Sequence, residues 1–355
     1  MNGKPKKVSK LVSGAQNGQK TGQRNEVVDA FRGLAAVWVA VYHFSGGAGV
    51  GTFGYLSVTI FFVISGYIVP YSMMQSGYVI AAWPRFMLKR LVRLEPPYLA
   101  SLVFLLAIGV WDTFFGVPPT WTAVQILGHL GYINAFLGLP WLNSAYWTLA
   151  VEFQFYILMG LVLPLLRLGN SLTRLVGLAL VACLPLLSLS RSNATIFPLL
   201  PVFAIGCLSF LVASRLIGWR SYWVALGVFS AIIFKKHDAD VALVTTGTAV
   251  LVATVHIPRI APFAWLGKMS YSLYLLHIPI GLGVISLIIR ISGNGVIGIP
   301  SIATGLAASL AAAALLNRYV EQPSLRLAAR IGYGRERAIS PNLATPNSAA
   351  PIETS

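Results

Sequence analysis

Apolar runs of about 20 residues recur along this chain, each as long as a helix must be to cross a hydrocarbon core about 30 Å thick. Inside lipid every backbone N–H and C=O must be satisfied within the protein, and a helix does that within one segment. Composition points the same way. Charged residues make up 10% of the chain, hydrophobic residues 56%, and the mean hydropathy is +0.74, against about 25% charged in a soluble domain. The fold class expected is an all-α integral membrane protein. Ten spanning helices are read at 27–45, 55–75, 98–116, 146–166, 175–190, 196–213, 221–236, 240–257, 269–290 and 297–317.

The net charge of +16 does not indicate nucleic acid, because the basic residues form no single soluble face. They lie in short segments between apolar runs, the pattern that sets membrane orientation. With the amino terminus placed inside, twenty-one Lys and Arg fall on inner segments and four (Arg191, Lys235, Lys236, Arg290) outside, with Arg32 in the membrane. The asymmetry supports an even helix count and two cytoplasmic termini. Membrane lipid and an anionic cosubstrate are the partners that suit this charge. The longest outer segment, 117–145, contains a moderately apolar stretch from Trp121 to Phe136 with Gln125, His129 and Asn134. It reads as interfacial or re-entrant, since an eleventh span would abolish the charge asymmetry. The domain plan is a basic disordered tail over 1–24, a membrane domain over 25–330 and a second disordered tail over 331–355. Residues 1–24 have no apolar core and so no cleavable signal; the first helix serves as the insertion signal.

That first helix carries charges an ordinary anchor would exclude. Charges at mid-membrane cost roughly 2.5–3.5 kcal/mol each and normally mark a functional path. Arg32 and His43 are about 20° apart at 100° per residue, and Asp29 lies within about 40° of His43. The stripe Asp29, Gly33, Ala36, Ala40, His43 is small or polar, whereas Val27, Phe31, Leu34, Trp38 and Val41 opposite are apolar. His43 lies about 16 Å further out than Arg32, at 1.5 Å per residue. Glu152, a few residues into the fourth helix, is expected at the depth of His43. A carboxylate beside an imidazole fixes its tautomer and suits a general base; a structural hydrogen bond joining two helices is the other reading.

The inner segment from Arg85 to Tyr98 contains Lys89, Arg90 and Arg93. Arg90 and Arg93 share a helical face and could grip phosphate oxygens, or serve only as topogenic charge. Pro96-Pro97 is expected to end that helix before the third span. Ser270, Tyr274 and His277 line one face of the ninth helix, for substrate or for packing. Glu321 reads as a structural anchor to inner Arg residues.

Gly49-Val-Gly51-Thr-Phe-Gly54 matches a dinucleotide fingerprint in letters only, since no βαβ unit surrounds it. Cys183 and Cys207 have no metal or redox spacing and read as buried thiols. No GxSxG, HExxH, CxxC or Walker pattern occurs, so no metal and no permanently bound cofactor is expected.

These segments resemble the membrane acyltransferase-three family of bacterial inner-membrane proteins. The resemblance rests on Asp29-Ala-Phe-Arg32-Gly-Leu-Ala with His43, Phe61-Phe-Val-Ile-Ser-Gly-Tyr67, Arg90-Leu-Val-Arg93-Leu-Glu-Pro-Pro and Trp147-Thr-Leu-Ala-Val-Glu152-Phe-Gln-Phe-Tyr156. It continues through Leu266-Gly-Lys-Met-Ser-Tyr-Ser-Leu-Tyr-Leu-Leu-His277 and Val320-Glu-Gln-Pro323. It implies transfer of an acyl group, acetyl or succinyl, from cytoplasmic acyl-CoA as cosubstrate to a hydroxyl of an envelope polysaccharide or glycolipid. It further implies a multi-pass inner-membrane protein and a module without a fused periplasmic domain. In the family the positions matched by Arg32, His43, Arg90 and Arg93 are functional, the last two with CoA; joined to the reading of the helices, this makes His43, Glu152 and Arg32 the catalytic candidates and Arg90, Arg93, Asp29, Tyr274 and His277 those for substrate or CoA. The pantetheine arm is then expected along the small-residue stripe toward His43. A glycolipid transporter with charges lining its path is the competing class.

Overall fold

The computed structural model describes residues 7–113, 121–184, 195–255, 257–293 and 297–333, with residues 7–25 and 111–113 described by backbone alone. The expected carboxy-terminal tail lies outside the described residues from 334 on, as do the first six residues of the expected amino-terminal one. The described residues form helices and no strand. These are α1 Lys7–Phe44, α2 Ser57–Gln75, α3 Trp83–Thr113, α4 Ala123–Leu130, α5 Tyr146–Arg167, α6 Ser171–Cys183 and α7 Leu200–Ala213. They continue with α8 Trp219–Lys236, α9 Ala239–Thr254, α10 Ala261–Leu276, α11 Gly283–Ser292, α12 Ile299–Leu316 and α13 Gln322–Ala329.

Six segments are long and apolar enough to cross a membrane: Glu26–Phe44, Gly49–Gln75, Ile80–Val110, Tyr146–Arg167, Ala261–Ser292 and Ile299–Ala329. The helices α6 to α9, which the expected ten would also require, have 13, 14, 18 and 16 residues. The outer surface is apolar, with Val103, Leu165, Leu180, Val224, Leu243 and Ile291 each more than 60% exposed. So large an apolar exterior suits lipid, not water. The protein is a multi-pass membrane protein.

Two expectations are corrected here. Pro96-Pro97 does not end a helix: α3 runs unbroken through both prolines. Proline removes the N–H donors for the carbonyls of Val92 and Arg93 but does not forbid helix, and spanning helices tolerate it where neighbours re-satisfy the backbone. Next to that gap, the Leu94 carbonyl accepts the Tyr271 hydroxyl at 2.9 Å. Arg85 to Arg93 therefore belong to the spanning helix itself.

The small-residue stripe of α1 is not an open wall. It is the seam against α10, which runs parallel to it. A Cβ on Gly33 would lie 2.7 Å from Leu266 Cβ, and one on Gly267 2.4 Å from the Asp29 carbonyl oxygen. Ala36 packs on Leu273 and Ala313, and Ala40 on Ile285; both alanines are fully buried. Small residues permit this close approach between membrane helices, so the stripe is filled by α10 to α12 and no pantetheine arm can follow it. A second glycine contact joins α2 to α7, where a Cβ on Gly66 would meet the Phe203 carbonyl oxygen at 2.2 Å and one on Gly206 the Val63 carbonyl oxygen at 2.2 Å.

Residues 121–145 pack on the bundle, with Tyr132 against Tyr98 and His129 against Tyr146. Thr122 and Gln125 cap α4 reciprocally, and the Gln125 amide reaches the Pro140 carbonyl at 2.8 Å. His129 is fully buried; its Nδ1 donates to the Gln125 carbonyl at 2.8 Å and its Nε2 accepts the Leu142 N–H at 3.2 Å. Such internal satisfaction is what buried non-helical backbone needs. In consequence α5 starts well short of the end of α3. Tyr146, its first residue, bonds to Ser101 at 2.8 Å, and Ser101 lies about 18 Å short of the α3 end at 1.5 Å per residue.

Candidate active site

Between α1, α2, α3, α5 and α10 lies a cavity of about 80 Å³. Arg32, Arg90, Arg93 and Glu152 line it at one end, and Thr148, Phe61 and Tyr274 line it farther along. Arg90 is 8% exposed. Its guanidinium lies 5.1 Å from the ring centres of both Phe86 and Tyr156, a sandwich in which cation–π attraction replaces part of the lost hydration. Among the described residues no carboxylate comes within 4.0 Å of it, and its Nε has no hydrogen-bond partner. A buried guanidinium in that state is prepared for an incoming anion.

Glu152 accepts the Ser65 hydroxyl at 2.9 Å and the Tyr156 hydroxyl at 2.5 Å. Ser65 reaches this carboxylate from α2, next to the Gly66 that packs on α7. Tyr156 stands one turn along α5, so its hydroxyl serves Glu152 while its ring face serves Arg90. At the opposite end Tyr274 bonds to Thr148 at 2.8 Å and stacks edge-on against Phe61, ring centres 5.6 Å apart.

Beyond Tyr274 the spanning segment changes pitch. His277–Leu282 is a π-turn containing Pro279, and such turns gather at functional sites. Proline at 279 removes the usual donor to the Leu275 carbonyl, and Asn143 supplies one at 3.2 Å. The Tyr274 carbonyl accepts from His277 Nδ1 at 2.8 Å. The His277 ring is fully buried and faces His43 across the α1–α10 seam, ring centres 5.3 Å apart. His43 is partly buried and also meets Tyr42, at 5.1 Å.

Five of the eight candidates thus line one cavity: Arg32, Arg90, Arg93, Glu152 and Tyr274. Asp29 stays in the seam, with the charges of Glu26, Arg32, Lys268 and Arg93 around it. The expected pairing of His43 with Glu152 does not form. Because α5 begins level with Ser101, within α3, Glu152 sits with Ser65 and Tyr156, while His43 meets His277. Glu321 is an anchor, but not to arginine: it accepts from Ser272 at 2.5 Å and from Asn317 at 2.9 Å. Ser65, Thr148 and Tyr156 escaped the sequence reading. The i, i+4 spacing of Glu152 and Tyr156 could have revealed one of them. Cys207 is buried and Cys183 partly so, both free. Among the described residues no group of three His, Cys, Asp or Glu could hold a metal ion.

The family profile described as "Acyltransferase domain" matches residues 25–318, a stretch that contains every residue of this site. Similar proteins include the putative membrane-bound transacylase BcsY of Komagataeibacter xylinus, 28% identical over 289 residues, which are 72% of each chain. The peptidoglycan O-acetyltransferase OatA of Listeria monocytogenes serovar 1/2a is 25% identical over 71% of this chain and 49% of its own length. The O-acetyltransferase OatA of Staphylococcus aureus is 24% identical over 71% of this chain and 50% of its own. The chain therefore spans about half the length of the OatA relatives it matches. No solved structure matches.

Proposed function

The chain belongs to the acyltransferase-domain family, and from that premise we propose that it is a membrane O-acyltransferase moving an acyl group, acetyl foremost, from acyl-CoA to a hydroxyl of an envelope polysaccharide or glycolipid. The observation that carries the donor assignment is Arg90: buried, sandwiched by two rings, without a carboxylate partner among the described residues, and lining a cavity with Arg93 and Arg32 at the same end. Three guanidiniums in one low-dielectric mouth suit the phosphates of CoA. The excess of basic residues on that side supports its placement in the cytoplasm, with both termini, in a bacterial inner membrane.

In this reading the thioester reaches along the cavity toward Tyr274 and the histidines behind it. His43 takes the proton of the acceptor hydroxyl as that oxygen attacks the thioester carbonyl. The tetrahedral intermediate then expels the thiolate, the C–S bond breaks, and the imidazolium returns the proton to sulfur. The products are the O-acyl ester and free CoA. Glu152, held by Ser65 and Tyr156, keeps Arg90 and Arg93 oriented through its charge. The relatives' names accord with a glycan acceptor.

The test supplies radiolabelled acetyl-CoA to membranes of the host lacking its own copy and complemented with each variant. Wild type should label the envelope glycan fraction and release CoA. Arg90→Ala with Arg93→Ala should raise the apparent KM for acetyl-CoA by about tenfold or more, as loss of charge-assisted contacts to phosphate implies. His43→Ala should lower transfer by about 100-fold or more. Normal transfer by His43→Ala at normal protein level would end this reading, and acceptor movement without CoA release would favour a transporter.

A further inference from the structure

Among the described residues around the π-turn, one buried polar atom stands apart. The Tyr274 carbonyl can only accept, so His277 Nδ1 must carry the hydrogen it donates there. In the neutral ring, the lone pair then resides on Nε2. That atom is buried and has no hydrogen-bond partner, a costly state for a polar group in a membrane interior. The rings around His277 are those of His43, Phe44 and Tyr274, with centres at 5.3, 6.3 and 5.7 Å. Of these only His43 offers a ring N–H. At 5.3 Å between centres, a modest ring rotation brings two facing nitrogens within hydrogen-bond reach.

We infer that His277 is the positioning residue of His43, its Nε2 accepting the His43 ring N–H and so leaving the other His43 nitrogen unprotonated toward the acceptor hydroxyl. This inference rests on the reading of His43 as base. Three features carry it: the tautomer imposed by Tyr274, the orphaned Nε2, and the engagement of Glu152 elsewhere. The backbone itself enforces the arrangement. The Nδ1 bond to the Tyr274 carbonyl one turn back locks the His277 ring at the start of the π-turn, and the parallel α1–α10 seam presents His43 to it. A neutral acceptor also orients His43 without establishing a permanent charge pair in the membrane, and its lone pair strengthens its bond when His43 takes up the hydroxyl proton.

The experiment compares His277→Gln, His277→Asn and His277→Leu, each in the full chain, in the complemented host membranes with radiolabelled acetyl-CoA. A glutamine amide reaches the place of Nε2 and can accept from His43. An asparagine amide overlays Nδ1, keeps the bond to Tyr274 and falls short of His43. Expected is a turnover order of wild type, then Gln within about tenfold, then Asn and Leu lower by about 100-fold, as for loss of an oriented general base, with the KM for acetyl-CoA unchanged throughout. Activity of Asn equal to or above Gln would overturn the inference, because the Tyr274 bond alone would then matter. Near wild-type turnover in all three would overturn it too, and so would a KM that moves with kcat. If His43→Ala retains transfer, the underlying reading has failed; if it abolishes transfer while the His277 series stays flat, only this inference has.

Discussion

Tyr156 donates its hydroxyl to Glu152 at 2.5 Å from one turn along the same helix and lays its ring under the guanidinium of Arg90. One side chain thus serves both signs of charge in the cavity. The carboxylate and the guanidinium are linked through the tyrosine rather than by a direct ion pair. That leaves the guanidinium open to a phosphate, whereas a bidentate Arg–Glu pair would have closed it.

The two functions of Tyr156 are separable by mutation. Tyr156→Phe keeps the ring and deletes the hydroxyl that holds Glu152, so the carboxylate that orients Arg90 and Arg93 loosens and the KM for acetyl-CoA should rise modestly; a hydrogen bond to a charged group is worth about 1.5–3 kcal/mol. Tyr156→Leu deletes the ring as well and should weaken acetyl-CoA binding further, since a desolvated cation–π contact contributes about 2 kcal/mol. Steady-state kcat and KM for acetyl-CoA in reconstituted membranes check both. Equal KM values for the two variants would dismiss the cation–π contribution.

Gly267 tests the seam between α1 and α10. A methyl there would lie 2.4 Å from the Asp29 carbonyl oxygen, which is helix backbone and cannot rotate away. Gly267→Ala should force the helices apart, with overpacking costing about 1–3 kcal/mol. The expected result is a lower melting temperature in detergent together with reduced transfer, because the same seam aligns His43 with His277. Gly283→Ala, with open space around its added carbon, is the control and should behave as wild type.

Much of this was legible in the chain. Hydropathy placed the spans to within a few residues at Ser57–Gln75, Tyr146–Arg167 and Ile299–Leu316, because lipid imposes length and composition directly. Arg90 and Arg93 could be put on one face from spacing alone. Three things could not. Pro96-Pro97 reads locally as a stop, but a spanning helix with neighbours to re-satisfy its backbone passes through both. The stripe Gly33, Ala36, Ala40 signals close approach without saying by what; a ligand and a second helix leave the same pattern. The partner of Glu152 depends on where α5 begins, and that start is set by how residues 121–145 pack on the bundle, a tertiary fact invisible to periodicity.

Asn143 is predicted to hold the π-turn in register. Its amide is the donor the Leu275 carbonyl has lacked since Pro279 took the usual one away, and its Oδ1 accepts the Ala145 N–H at 2.9 Å. Asn143→Leu strands both groups, at about 1–3 kcal/mol for each buried unsatisfied partner. Thermal unfolding in detergent should move down, and transfer should fall by more than the loss of folded protein because His277 is the first residue of the turn. Asn143→Asp keeps the acceptor to Ala145 and loses the amide donor, so an intact turn in that variant would show the Leu275 bond to be dispensable.

His129 ties the segment 121–145 to pH. It lies outside the six spans, and burial holds its ring below the ordinary value of 6.5, with the bond to the Gln125 carbonyl opposing that shift. Its Nε2 accepts the Leu142 N–H, so a proton there replaces an acceptor with a donor facing a donor. The sign follows from proton binding. Between the folded and unfolded values the unfolded chain binds more protons, so acid favours unfolding. The stabilisation is complete above about pH 6.5 and is lost as pH falls toward the folded-state value, at up to about 1.4 kcal/mol per pH unit. The wild-type melting temperature in detergent should therefore drop between about pH 7 and about pH 5. His129→Gln keeps an acceptor without a titrating ring and should flatten that slope even if it is less stable at neutral pH. An equal slope in both proteins would assign the acid sensitivity to another group.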